Sequence, residues 1–267
     1  MTENASPAPT ASPSSWLLLS MLRRELRDRY AGTSAGLGWA LLQPVLMLAL
    51  YALVFAFIFR VRLTGYDTPL AYITFVAITL WPWFLLQEGL LRAMTALRAQ
   101  AALVRKTTLR RDLPVTVCIL ASAMIHLAGY VAVLACLTLA GAELRFDGLP
   151  LAVLSVATLL TVVMGLGFLL ASIQLVWRDL EHAVQPLFLI LFYATPILYP
   201  ITLVPEEVRP FITANPMAWW VERQRDALLN GALPGAYDIA GLVATAVGCW
   251  ICRRLYLKVA AFAEDLL

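Results

Sequence analysis

Six long apolar stretches, at residues 36–59, 70–90, 113–140, 149–175, 183–200 and 236–257, restrict this chain more than any other feature of its sequence. Most reach the roughly 20 residues that an α-helix needs to cross hydrocarbon. In lipid every backbone N–H and C=O must be satisfied within the segment, so such runs predict helices and not open strands. Composition agrees: 61% of the residues are hydrophobic and 14% charged, against roughly 45–50% and about 25% in a soluble domain. A chain of 267 residues cannot enclose that much apolar surface in one core, so lipid must act as solvent for much of it. The expected fold is all-α, a polytopic membrane protein with six spanning helices. The fifth stretch is the shortest and contains Pro186, Pro196 and Pro200, which puts its ends in question.

Three flanking segments differ in character. Residues 1–14 are mostly Pro, Ser, Thr and Ala without apolar period, a pattern for a disordered tail. Over 15–31 the residues Leu18, Leu22, Leu26 and Tyr30 recur every fourth position, with Arg23, Arg24, Arg27, Asp28 and Arg29 on the other side. That is an amphipathic helix lying along a membrane interface, or else a solvated helix before the first span. Residues 203–232 mix prolines with a charged run and cannot span; they read as two short re-entrant helices turning near Asn215-Pro216, with an ordinary loop as the alternative. Residues 32–267 then form the transmembrane domain.

Orientation follows from the basic residues. With the N-terminus cytoplasmic, that side carries Arg23, Arg24, Arg27, Arg29, Arg92, Arg98, Arg105, Lys106, Arg110, Arg111, Arg178, Arg253, Arg254 and Lys258. The opposite side carries Arg60, Arg62, Arg145, Arg209, Arg223 and Arg225, so fourteen and six exhaust the twenty present. Positive charge accumulates on the cytoplasmic side of spans, so both termini are expected there.

Several chemistries are disfavoured. No G-x-x-x-x-G-K-[ST] loop is present, and neither lysine, Lys106 or Lys258, follows a glycine-rich turn, so a nucleotide phosphate has no such cradle. Cys118, Cys136, Cys249 and Cys252 lie in apolar runs without the histidine spacing of a zinc site and read as small packing residues. No carboxylate cluster suits general acid–base work; Asp179 and Glu181 sit beside Arg178 and His182 as local ion pairs in a short loop. Ionisable groups are scarce within the spans, the exceptions being Glu88 and His126, the latter expected to bond a neighbouring helix. A net charge of +3 carries no implication for nucleic acid.

Two features suggest contacts with other molecules. The segment 92–111 is helical in pattern and presents Leu97, Ala101, Val104 and Leu109 beside Arg98, Arg105 and Lys106, which fits a docking element as well as a purely topogenic one. Aromatic residues gather in the first span, as Trp39, Tyr51, Phe55 and Phe59, and in the fifth, as Phe188, Phe192, Tyr193 and Tyr199. Spacing of four puts Tyr51, Phe55 and Phe59 on one face and Phe188 with Phe192 on another, either lining a passage or facing lipid.

The string Arg29-Tyr30-Ala31-Gly32-Thr33-Ser34-Ala35-Gly36-Leu37-Gly38-Trp39, followed by Gln43-Pro44, resembles the opening of the bacterial type-2 ABC permeases, in particular their polysaccharide-exporting branch. Leu103-Val104-Arg105-Lys106, Leu113-Pro114, Trp177-Arg178-Asp179-Leu180-Glu181-His182, Thr195-Pro196-Ile197-Leu198-Tyr199-Pro200 and Asn215-Pro216-Met217 continue the resemblance in order. It implies a homodimer in the bacterial inner membrane, paired with two copies of a nucleotide-binding subunit that supplies ATP and Mg²⁺. This chain itself would then be a transport subunit without cofactor. The cargo implied is a lipid-linked glycan of O-antigen, capsule or teichoic-acid type, with a small drug or lipid as the alternative and an ion-coupled carrier behind it. On the same footing Arg98, Val104, Arg105, Lys106, Arg178, Asp179 and His182 would couple to the ATPase. Arg27 and Arg29 would meet a lipid diphosphate, and Asn215, Pro216, Trp219 and Trp220 would form the outer gate.

Overall fold

A computed structural model of the protein describes residues 13–29, 32, 38–58, 68–100 and 110–262. The regular elements among them are helices: α1 (Pro13–Asp28), α2 (Gly38–Tyr51), α3 (Pro69–Ala99), α4 (Asp112–Leu139), α5 (Leu149–Val176), α6 (Leu180–Tyr193), α7 (Arg209–Thr213), α8 (Pro216–Asn230) and α9 (Ala236–Phe262). A π-helical stretch, Ala52–Ile58, continues α2. Four helices are long and apolar enough to cross a membrane, at Pro69–Ala99, Asp112–Leu139, Phe146–Val176 and Ala236–Phe262; Leu42–Phe55 and Leu180–Tyr193 are shorter apolar segments. The protein is therefore an all-α polytopic membrane protein.

The central element is α3. Thr68 caps it, its Oγ1 accepting from the Ala71 N–H at 3.1 Å, and Pro69 occupies the first turn, where a missing N–H costs nothing. Apolar residues surround it on every side, and Val76, Ile78, Leu80, Leu85 and Ala93 have no accessible surface. A helix apolar all round is one enclosed by its neighbours, here α4 and α5. It does not stop at residue 90, where the apolar stretch ends. Leu90, Ala93, Met94 and Leu97 remain buried while Arg92 and Arg98 take the other side, so amphipathic helix carries on to Ala99. The fifth stretch departs the other way: α6 ends at Tyr193 and residues 194–200 are turns. Pro196 and Pro200 disfavour helical backbone in the residues before them.

Small residues set the approach of α9 to α5. A Cβ on Gly165 would stand 3.1 Å from Cys249 Cα, and Thr161 Oγ1 donates to Thr245 Oγ1 at 2.6 Å. This is close packing sealed by a hydroxyl bond, the usual glue between helices in lipid. At one end of the pair Arg253 Nε bonds Asp112 Oδ2 at 2.8 Å, and Tyr256 donates to the Arg111 carbonyl at 3.0 Å. Asp112 also receives Arg110 at 2.9 Å, which holds the Arg110 guanidinium above its ordinary pKa.

Helix α1 buries Met21 and Leu22 against Leu113, Val117 and Ala121 of α4, leaving Arg23, Arg24, Arg27 and Asp28 exposed. Its apolar face is thus occupied by protein, while Trp16 and Leu19 stay open on another side.

The re-entrant reading falls on α7 and α8. Asn215 caps α8 by accepting from the Met217 N–H at 2.9 Å, and its Nδ2 donates to Thr195 Oγ1 at 2.9 Å. Below it a buried relay fixes the helix: Trp220 Nε1 donates to the Ser155 carbonyl at 2.7 Å, Gln224 Nε2 to Tyr130 Oη at 2.9 Å, and Tyr130 to the Ile78 carbonyl at 2.9 Å. Arg225 lies 3.6 Å from the Phe75 ring centre and donates to the Ile197 carbonyl at 2.8 Å. Gly148 makes this approach feasible, because a Cβ there would lie 1.9 Å from the Ala227 carbonyl oxygen. On the flank, Arg223 pairs with Asp238 at 2.7 Å, which raises its pKa further.

Candidate functional site

Among the described residues the densest group of interior charges lies where α1, α3 and α4 meet. Arg29, just past α1, has a side chain with no accessible surface, although its helix was legible only as a surface element. Its Nη1 donates to Glu88 at 3.0 Å and to Ser122 Oγ at 3.1 Å, and its Nη2 to the Cys118 carbonyl at 3.2 Å. Glu25 joins it at 3.5 Å from one helical turn back. Three helices, α1, α3 and α4, are therefore pinned by one guanidinium.

Glu88 is the hub of this network. Besides Arg29 it accepts from Arg92 Nε at 2.7 Å, and its other oxygen lies 2.7 Å from His126 Nε2. A carboxylate flanked by two guanidinium groups is an acceptor, so the imidazole proton belongs on Nε2. The expected bond from His126 to a neighbouring helix is this one, and Glu88 is its partner. His126 Nδ1 and Arg29 Nε are buried without a hydrogen-bond partner.

Above the network opens a cavity of about 510 Å³, walled by α2, α3, α4 and α6. Trp39, Gln43 and Pro44 line it from α2, and Phe84, Gln87, Glu88, Leu91, Arg92 and Thr95 from α3. His126 and Glu181 complete it. Glu88 is 28% exposed and Arg92 39%, so the same ion pairs that bind the helices together also form cavity wall. The described residues contain no group of three or more His, Cys, Asp or Glu able to hold a metal ion.

The ABC-2 type transporter family matches residues 17–229, from within α1 to the end of α8. This chain belongs to that family. The ABC-2 permease is 26% identical over 257 residues to an O-antigen export system permease protein of Klebsiella pneumoniae, covering 94% of this chain and 95% of that one. It is 29% identical over 237 residues to the protein of the same description from Myxococcus xanthus, covering 86% and 87%. A polysialic acid transport protein of Escherichia coli is 21% identical over 212 residues, covering 79% and 81%. A permease subunit of an ABC transporter is a transport component and not a catalyst.

The residues singled out in sequence fall into distinct surroundings in the permease. Trp39 lies on the cavity wall, 47% exposed. Tyr51 stacks on Phe192 with centroids 5.7 Å apart, and Phe55 tilts against Tyr72 at 6.3 Å. Phe188 and Phe192 are buried against Trp83, at 6.4 and 5.4 Å, so they pack in the interior of the chain. Tyr193 is exposed, and Tyr199 donates to its carbonyl at 2.7 Å. Phe59, Val104, Arg105 and Lys106 lie outside the described residues.

Of the arginines expected at a lipid diphosphate, Arg27 is exposed whereas Arg29 is committed to Glu88 and Glu25. Arg98 donates to the Gln174 carbonyl at 2.7 Å and ties the end of α3 to the end of α5. Arg178 and Asp179 form the exposed turn between α5 and α6, and His182 is exposed in the first turn of α6. Asn215 and Trp220 are anchoring groups of α8, while Pro216 and Trp219 are exposed. The network at Glu88 escaped sequence reading as a network because Arg29 counted among the polar-face charges of α1. Its signal was present only as two ionisable groups in otherwise apolar spans.

Proposed function

We propose that this permease is the membrane half of an ATP-driven exporter that moves a lipid-linked polysaccharide, of O-antigen, capsule or teichoic-acid type, across the bacterial inner membrane. The observation that carries this reading is the alignment with O-antigen export permeases along nearly the whole of both chains. The reading takes six spans, the four long apolar helices together with α2 and its π-helical continuation over Gly38–Ile58 as the first and α6 with the turns to Pro200 as the fifth. Both termini then share one side, and the fourteen-to-six division of basic residues makes that side cytoplasmic. The cavity at Glu88 consequently opens toward the cytoplasm, where cargo is loaded.

Two copies of the chain pair in this reading, with the exposed apolar surfaces of α2 and α6 facing the partner across the passage. Each copy binds one nucleotide-binding subunit carrying ATP and Mg²⁺. The exposed turn at Arg178 and Asp179 with His182 at the start of α6, together with the segment through Val104, Arg105 and Lys106, receives its motion. The α8 region closes the outer end.

The test is reconstitution of the permease with its ATPase subunit in vesicles loaded with lipid-linked glycan. ATP-dependent appearance of glycan on the far leaflet is expected. Transport driven by an ion gradient without the ATPase, or ATPase stimulation by hydrophobic drugs but not by glycolipid, would overturn the reading.

A further inference from the structure

The lining of the Glu88 cavity bears on which part of the cargo it meets. Among the described residues its ionisable lining is Glu88, Glu181, Arg92 and His126, and both basic groups are already engaged by Glu88, Arg92 Nε at 2.7 Å and His126 Nε2 at 2.7 Å. A diphosphate offers only acceptors and negative charge, so the unpaired carboxylate of Glu181 opposes it, and the basic groups among the described lining residues are already taken by Glu88. Sugar hydroxyls behave differently, each donating one hydrogen bond and accepting others.

The unoccupied bonding capacity of the wall matches hydroxyls. Among the described residues, the amides of Gln43 and Gln87 and the carboxylate of Glu181 have no hydrogen-bond or ion-pair partner. The two amides both donate and accept, and Glu181 accepts. Trp39 from α2 and Phe84 from α3 add apolar surface suited to the C–H faces of a pyranose ring. A volume of about 510 Å³ lies within the roughly 300–1,000 Å³ of small-ligand pockets.

We infer that this cavity is a saccharide subsite, in which Gln43, Gln87 and Glu181 hydrogen-bond hydroxyls of a sugar unit while Trp39 and Phe84 pack on its ring. The inference rests on the polysaccharide-export reading and adds that this site reads the glycan, leaving the carrier diphosphate to other surfaces.

The permease assembled with its ATPase subunit, in lipid nanodiscs, is titrated with two probes. One is the lipid-linked glycan extracted from producing cells, and the other is the same polyprenyl diphosphate stripped of sugar. Gln43→Leu and Gln87→Leu keep side-chain volume and remove the amide. Each variant is expected to raise the Kd for the glycosylated lipid about fivefold, the worth of one neutral hydrogen bond. The sugar-free carrier should bind within about twofold of the unchanged protein by the same scale. Gln43 is exposed, so its replacement keeps the test open even if Gln87→Leu fails to fold. Equal weakening of both lipids, or no weakening of either while the unchanged complex transports glycan, overturns the subsite alone. Failure of the unchanged complex to bind any glycosylated lipid overturns the cargo reading and the subsite with it.

Discussion

Arg29 shows how much a single side chain carries when it is enclosed. Its guanidinium has no accessible surface and meets Glu88, Glu25, Ser122 and the Cys118 carbonyl, so removing it strands buried acceptors and a carboxylate. Breaking a buried pair from one side costs about 3–5 kcal/mol, far more than the pair is worth against an apolar replacement of both partners. Arg29→Met is therefore expected to lower the thermal midpoint of the purified permease clearly, and the double variant Arg29→Met with Glu88→Gln to recover part of the loss. A midpoint in Arg29→Met equal to that of the unchanged protein would remove this pair from the account. Sequence showed Glu88 and His126 as exceptions in apolar helices, and their bond follows from the cost of leaving either alone. It did not show Arg29 as the third member, since one helical turn of drift decides whether an arginine near the end of α1 faces water or α3. Aromatic spacing likewise revealed that Phe188 and Phe192 share a face, but period cannot say whether that face meets lipid, a passage or Trp83.

Among the elements, α8 illustrates a helix held by polar contacts and by a missing methyl group. Gly148 has ordinary backbone, so its value is spatial: the Ala227 carbonyl sits where a Cβ would be. Gly148→Ala is expected to destabilise by about 1–3 kcal/mol through displacement of α8. Protease sensitivity should rise in the 231–235 connection that follows the helix. The exposed neighbour Glu143→Ala serves as control and should stay within about 0.5 kcal/mol. Equal behaviour of the two variants would show that α8 tolerates the shift. The turn at Asn215-Pro216 was legible because a cap residue followed by proline marks a helix start. The partners of that turn were not, because the Ala194 carbonyl and Thr195 lie 21 and 20 residues away and no local pattern encodes the meeting.

At the level of the whole molecule, apolar runs made the membrane class and the long helices visible, because hydrocarbon thickness imposes a length that composition alone reports. Assembly is less visible, since a face open to lipid and a face awaiting a partner have the same chemistry. The exposed apolar residues Val45, Leu46 and Leu50 of α2, and Leu187 and Ile190 of α6, fit either. On the proposed reading the purified complex contains two permease chains with two ATPase chains, a stoichiometry that native mass spectrometry reads directly. A stable, active complex holding one permease chain would contradict it.

The unbroken course of α3 has a mechanical corollary. Its 31 residues make a rod about 46 Å long, and the Arg29–Glu88 clasp grips it off-centre, about 28 Å from the Pro69 end and about 16 Å from the Ala99 end. Rotation about such a fulcrum turns each ångström of thrust at the short arm into about 1.7 Å of travel at the long one. On the proposed reading, any tilt of α3 about this clasp would therefore move the end at Pro69 farther than the end at Ala99.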